Sequence, residues 1–142
     1  MTKQEAQQLV EAYGHNLGVR TTLSPKGFGG IQVGMGSIYF EYDEKAQSLE
    51  CSALVYKFHD APKPGIIEGF KAEQAAGTDT GGGTVDYEPE NKGLFLSRTY
   101  PTMPSLVIFD AEMKRLLAAA KEWGGPVLTR VSQKVFHPEK AK

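Results

Sequence analysis

The sequence predicts an α+β fold, a mostly antiparallel twisted sheet of about five strands with helices packed on it. Apolar residues recur at helical spacing near both ends of the chain and once in its middle. Alternating apolar and polar segments occur in pairs joined by short polar stretches, as in β-hairpins. Pro and Gly separate these segments. The predicted order is α-β-β-β-α-β-β-α plus a C-terminal helix, in a single domain over residues 1–142.

Composition excludes several classes of protein. The chain has 142 residues and a net charge of −1 from 16 Lys+Arg and 17 Asp+Glu. Nucleic-acid binding needs a basic face to displace counterions, so we expect no nucleic-acid partner. Neither a long apolar run nor a signal-peptide pattern after Met1 is present, which predicts a cytoplasmic protein with no membrane partner.

Few residues have the spacing of a catalytic or metal site. A single cysteine, Cys51, and three scattered histidines exclude a disulfide framework and a Cys-rich zinc site. Cys51 and His59 lie on one predicted strand, roughly 26 Å apart at strand rise, so they cannot form a nucleophile–base pair. The glycine runs lack the spacing of a phosphate-binding loop. We therefore predict no enzyme activity, no metal and no cofactor.

The first elements follow from local pattern. The stretch Thr2–Glu5 fits a capping box and begins a helix over residues 3–16. Residues 19–36 are rich in glycine and predict an irregular first strand that is either bulged or lies at a sheet edge. Residues 37–42 and 48–58 predict an antiparallel hairpin. In its second strand Leu49, Cys51, Ala53 and Val55 share one face, and Leu54, Tyr56 and Phe58 share the other.

The second half of the chain repeats this alternation. A short helix is predicted within residues 65–76, and the glycine-rich 77–83 segment follows as a loop. Residues 84–88 and 94–100 predict a second hairpin. A long helix carries an apolar stripe from Leu106 to Trp123, and we expect Gly124-Gly125 to end it. Pro126 then begins a last helix, followed by a charged tail from His137 that we expect to fray.

This order of elements resembles the class I type III secretion chaperones, the family of the intimin-receptor chaperone. The matching pieces span residues 3–123 and leave 124–142 as an appended helix and tail. They are the N-terminal helix ending in His15-Asn-Leu-Gly-Val19, the hairpin from Ile38-Tyr-Phe-Glu-Tyr42 to Leu54-Val-Tyr-Lys-Phe58, the helix from Ile66 to Ala75, the segment Gly82-Gly-Thr-Val-Asp-Tyr87 leading into Gly93-Leu-Phe-Leu-Ser-Arg-Thr-Tyr-Pro101, and the helix from Met113 to Trp123.

The resemblance implies a non-enzymatic homodimer in the bacterial cytoplasm that holds an extended segment of a secreted effector protein. Apolar grooves and strand addition can hold such a segment. Two alternatives remain open. One is a small ligand-binding domain with a pocket under the 77–83 loop near Asp86, Glu88 and Arg98. The other is an adaptor that recognises a folded partner through the sheet.

Two aromatic strips of the central hairpin are candidate partner-binding surfaces. One would join Ile38, Phe40 and Tyr42 to Leu54, Tyr56 and Phe58 if the register allowed it. If that strip forms the core, the opposite side with Tyr39, Leu49 and Val55 becomes the candidate surface. A homodimer interface is predicted at the apolar side of the short helix, formed by Ile66, Ile67 and Phe70.

Overall fold

A computed structural model describes residues 1–137, so the predicted tail beyond His137 lies outside the described residues. The predicted element order is confirmed within this range. The helices are α1 (Lys3–Asn16), α2 (Ile66–Ala75), α3 (Leu106–Glu122) and α4 (Leu128–Phe136), and the strands are β1 (Phe28–Val33), β2 (Gly36–Asp43), β3 (Ser48–Lys57), β4 (Thr84–Glu88) and β5 (Gly93–Tyr100).

The five strands form one sheet in the order β1-β2-β3-β5-β4, and every neighbouring pair is antiparallel. The predicted α+β class is therefore confirmed. As predicted, β1 is an edge strand. The other edge is β4, which leaves β3 at the centre of the sheet.

The start of α1 has the predicted capping box. The hydroxyl of Thr2 accepts a hydrogen bond from the backbone N–H of Glu5 at 3.1 Å, and the Glu5 carboxylate accepts one from the Thr2 N–H at 2.8 Å. These bonds satisfy two donors that a helix start leaves free. The α1 residues that face the sheet are buried, namely Ala6, Leu9, Val10 and Tyr13.

The register of β2 against β3 decides which side chains form the core. Tyr42 pairs with Leu49 and Phe40 pairs with Cys51, so the even-numbered residues of β2 share a face with the odd-numbered residues of β3. Four residues, 44–47, join the strands, and Gln47 has a positive φ of 50°. Because the length of a hairpin connection fixes the register, this turn sets the parity of both strands.

Helices α1 and α3 pack on the face of the sheet that carries this parity. Phe40 and Leu49 are fully buried beneath them, and the ring of Tyr13 on α1 makes edge contacts with the rings of Phe40 and Phe109, at centroid distances of 6.4 and 5.2 Å. We call this side of the sheet the covered face and the other side the open face.

The junction between α3 and α4 differs from the prediction. Gly124 and Gly125 do not end the helical path, which passes through a π-helical turn over Trp123–Val127 directly into α4. A wider turn accommodates Pro126, which has no N–H to donate. Trp123 is fully buried in this turn, where it stacks on Phe70 at 6.0 Å and donates its indole N–H to the carbonyl oxygen of Asp79 at 2.8 Å.

Helix α4 folds back onto α2. A Cβ on Gly69 would lie 2.6 Å from a methyl group of Val131, so the absence of a side chain at Gly69 permits the close approach of the two helices. The predicted dimer residues therefore lie mostly inside the chain. Ile66 and Phe70 are buried within its own core, and Ile67 is half-buried against that core.

Candidate functional site

The open face is a solvent-exposed surface built from every second residue of the strands. Its first row runs from Gly30 through Tyr39, Ser52 and Ser97 to Thr84, as the pairing of the strands defines it. The neighbouring rows carry, on one side, Phe28, Glu41, Glu50 and Thr99, and on the other, Leu54, Phe95 and Asp86, with Glu88 beyond.

An aromatic floor lies in the middle of this face. The rings of Tyr39 and Phe95 meet edge to face with centroids 5.8 Å apart. The ring of Tyr39 lies beside Gly30, and a Cβ on Gly93 would come within 2.6 Å of the Phe95 ring. Gly93 thus leaves the space that the Phe95 ring fills.

A groove of about 420 Å³ surrounds the floor. Its apolar lining comes from Phe28, Tyr39, Leu54 and Phe95, and Tyr39 and Phe28 are 47% and 53% exposed. Large aromatic side chains are usually buried, so the two half-exposed rings on one sheet face make this groove the candidate binding surface.

Negative charge predominates in the groove. Glu41, Glu50, Asp86 and Glu88 line it, together with a single cation, Lys57. Burial raises the pKa of Glu50, and the nearby carboxylates of Asp86, Glu41 and Glu88 raise it further, against a hydrogen bond from Ser52. Glutamates 41 and 50 are direct cross-strand partners, an arrangement that destabilises a sheet.

The predicted partner-binding residues do not share one surface. Ile38, Phe40 and Leu49 are buried on the covered face, and Tyr39 lies alone on the open face. The strip that would join Tyr39 to Leu49 and Val55 does not form, because the register places them on opposite sides of the sheet. Val55 is half-buried and lies beside Gly124 at the π-helical turn.

The strip that would join Ile38, Phe40 and Tyr42 to Leu54, Tyr56 and Phe58 is broken at Leu54, which pairs with Phe95 on the open face. The register break after Leu54 places Tyr56 opposite the buried Leu94 instead. Beyond it, Tyr56, Phe58 and Tyr87 form an aromatic cluster at the end of the sheet, with centroids 4.9 and 6.2 Å apart in sequence order. Tyr56 is 41% exposed.

The predicted pocket under the 77–83 loop is present in part: Gly82, Asp86 and Arg98 line a shallow depression of about 600 Å³ at the β4 edge, whereas Glu88 lines the groove of the open face. Asp86 belongs to the open face, whereas Arg98 belongs to the covered face and pairs with Glu112 of α3. The loop itself packs on the helices, since Gly81 is buried against the backbone of Arg115. Gly81 is therefore part of the core packing, while Gly82 lies at the depression that Asp86 and Arg98 share.

The remaining reactive groups are structural. Cys51 is fully buried on the covered face, and burial raises the pKa of its thiol. His59 lies exposed beyond the end of β3. Tyr13 is also buried, which raises the pKa of its hydroxyl to about 12. Among residues 1–137, no three His, Cys, Asp or Glu side chains cluster as metal ligands would.

Sequence reasoning missed most of the open face. The sequence pattern places Asp86 and Glu88 together in one candidate pocket, but it does not join Glu41, Glu50, Phe28 and Phe95 to them. Glu41 and Glu50 each interrupt an apolar run, a signal of a solvent-facing position. Joining them required the order β3-β5-β4, which brings Phe95 between Leu54 and Asp86.

Comparisons with known proteins bear on the fold. No protein-family model and no curated protein matches the sequence. Over the described residues, no helix is both long enough and apolar enough to cross a membrane.

Solved structures match well. A chain of the ExsC-ExsE complex superposes with a TM-score of 0.70 at 16% identity, covering 87% of this chain and 95% of that one. A chain of the HopA1-SchA chaperone-effector complex gives 0.64 at 14% identity, covering 86% and 94%. A chain from the complex of the Yersinia pestis type III secretion chaperone SycH with a YscM2 fragment gives 0.55 at 10%, covering 80% and 95%. The resemblance drawn from the sequence is thus confirmed at the level of the fold, and this chain has the fold found in these three complexes, one of which contains a type III secretion chaperone.

Proposed function

We propose that this protein is a non-enzymatic chaperone that holds an extended segment of a secreted effector protein in the bacterial cytoplasm. The open face of the sheet carries the proposal, because its aromatic floor is half-exposed in the single chain. The solved structures of the same fold include a chaperone-effector complex and a type III secretion chaperone bound to a protein fragment, which supports a polypeptide as the ligand.

An extended segment suits this surface physically. Its side chains alternate between two sides with a period of two, so every second one can reach the sheet. Burying an apolar side chain against Tyr39 and Phe95 is worth about 1.5 to 3 kcal/mol if it is fully desolvated. The edge strands β1 and β4 offer main-chain hydrogen bonds to a segment that adds to the sheet.

Self-association is part of the proposal. Since Ile66 and Phe70 are buried by α4 and the core, Ile67 is the residue of the predicted dimer interface with surface left for a second copy. The cluster of Tyr56, Phe58 and Tyr87 adds exposed aromatic surface at the end of the sheet. Sedimentation at micromolar concentration should give twice the chain mass of 15.5 kDa, and a monomer would reject this part of the proposal.

Pull-down from the native host tests the function. The double variant Tyr39→Ser/Phe28→Ser removes both half-exposed rings of the groove. We expect it to lose the co-purifying secreted protein while it still unfolds cooperatively, with a melting temperature lowered by only several degrees. Val107→Ser/Ile108→Ser is the matched control, since these apolar residues of α3 are 81% and 55% exposed. Equal recovery of the partner with the Tyr39 variant, or loss only with the α3 control, would reject the open face as the binding surface.

A further inference from the structure

The carboxylates of the open face are not neutralised within the described chain. The ion pairs among residues 1–137 involve Glu44, Glu73, Asp110 and Glu112 as the acids. The four groove carboxylates, Glu41, Glu50, Asp86 and Glu88, take part in none of these pairs. Lys57 lines the groove with them but forms none of these ion pairs either.

Their positions form two pairs at either side of the aromatic floor. Glu41 and Glu50 are cross-strand partners in the row beyond Tyr39. Asp86 lies opposite Phe95, and Glu88 follows two residues along the same strand. The apolar centre of the groove is thus bordered by negative charge on both sides.

This arrangement carries a cost that a cationic ligand would remove. Like charges directly opposite each other on a sheet destabilise it by some tenths of a kcal/mol up to about 1 kcal/mol. Burial raises the pKa of the Glu50 carboxylate, and the three neighbouring acids Asp86, Glu41 and Glu88 raise it further. A guanidinium or ammonium group seated between two of these carboxylates would convert the repulsion into charge-assisted hydrogen bonds.

We propose that the segment held on the open face is basic, with Lys or Arg residues on both sides of a central Leu or aromatic residue. The inference rests on the proposed function, because it assigns a chemistry to the polypeptide that occupies that surface. The apolar residue contacts the Tyr39–Phe95 floor, and the cations face the pairs Glu41–Glu50 and Asp86–Glu88. An Arg side chain also gains from stacking on an aromatic ring.

Three labelled peptides test this. All are short, unstructured and rich in Ser and Gly; the first has Lys and Arg flanking Leu and Phe, the second has Glu in place of the cations, and the third has Ser there. We expect fluorescence anisotropy to show binding of the basic peptide, weaker binding of the Ser peptide and none of the Glu peptide. Affinity for the basic peptide should fall as salt is raised.

Matched protein variants separate local from overall charge. Glu41→Gln/Glu50→Gln/Asp86→Asn should weaken binding of the basic peptide about tenfold, since each exposed pair contributes up to about 1 kcal/mol. Glu44→Gln/Asp60→Asn/Glu122→Gln makes the same change in net charge at exposed positions outside the groove and should leave the affinity within about twofold. The single variant Glu41→Gln, at an exposed position, provides the same comparison if the triple variant does not fold.

The outcomes distinguish the two proposals. If the Ser peptide binds as tightly as the basic one and the Gln/Asn triple variant changes nothing, the segment is held but is not basic, and this inference is overturned. Equal weakening by the two triple variants would also overturn it, because the effect would then follow net charge alone. Should none of the peptides bind, both the inference and the proposed function fail.

Discussion

Tyr39 and Phe40 are neighbours in β2, yet Phe40 is 1% exposed beneath the helices and Tyr39 is 47% exposed on the open face. Glu73 and Glu50 differ in a similar way in the partners of their carboxylates. Glu73 on α2 accepts hydrogen bonds from Arg130 and from the Thr78 hydroxyl, and Lys134 lies 3.7 Å away. Glu50 on the open face lies among other carboxylates.

The two sets of residues differ in role: one stabilises the fold, and the other is available to contact a partner. Phe40 and Glu73 both have partners within the chain, and the side chain of Arg130 lowers the pKa of Glu73 to about 2. On the open face, Tyr39 has one edge contact with Phe95, and Glu50 accepts a hydrogen bond from Ser52 but forms no ion pair among residues 1–137. Burial and the neighbouring carboxylates raise the pKa of Glu50. Chain stability should therefore depend on the first set, and binding on the second.

Truncation of the two adjacent aromatic residues should give the largest difference in stability. Phe40→Ala removes a fully buried ring and should lower the free energy of unfolding by about 3 to 5 kcal/mol. Tyr39→Ala loses one edge contact with Phe95 and should cost about 1 kcal/mol. Urea denaturation of both variants measures the difference. Similar losses for the two would show that the open face belongs to the core.

Replacing the paired glutamate comes next in size. Glu73→Gln should destabilise the chain by about 2 kcal/mol, less than for a fully buried ion pair because Arg130 is half-exposed. Since the pKa of Glu73 is lowered, its contribution is fully present above its ordinary value of 4.5 and is lost as the pH falls towards 2.

The control for this variant is Lys134→Gln, which removes an exposed and more distant cation and should cost less than about 0.5 kcal/mol. Denaturation of wild type and Glu73→Gln between pH 7 and pH 2, read by circular dichroism, tests the pH dependence. Stability curves that stay parallel over this range would contradict the assignment.

A third substitution should stabilise the chain slightly instead of destabilising it. Glu50→Gln should raise the free energy of unfolding by about 0.5 kcal/mol at neutral pH, because it removes a charge that opposes Glu41. The pKa of Glu50 is raised in the fold, so the carboxyl is already neutral in acid and the gain should vanish as the pH drops below 4.5. A variant less stable than wild type at pH 7 would indicate a cationic partner for Glu50 within the chain.

The sequence predicted the elements better than their arrangement. Helix α1 and the two hairpins were predictable because capping residues, turns and periodicity are local signals. The assignment of Tyr39 and Leu49 to one side failed because it depended on the register, which the four-residue turn before Ser48 sets. The packing of α4 on α2 was equally hidden, since it depends on the missing side chain at Gly69 meeting Val131, far apart in sequence.

The buried thiol of Cys51 can report how often the centre of the sheet opens. Its thiol is fully enclosed at the centre of the sheet, so a thiol-labelling reagent can reach it only when the strands around it open. The labelling rate therefore reports the frequency of opening of the sheet centre, on the same principle as hydrogen exchange. A ligand that binds only the folded chain suppresses global opening as its occupancy rises. The decrease in the labelling rate of Cys51 would therefore measure the fraction of chains with a bound segment, without any label on the partner.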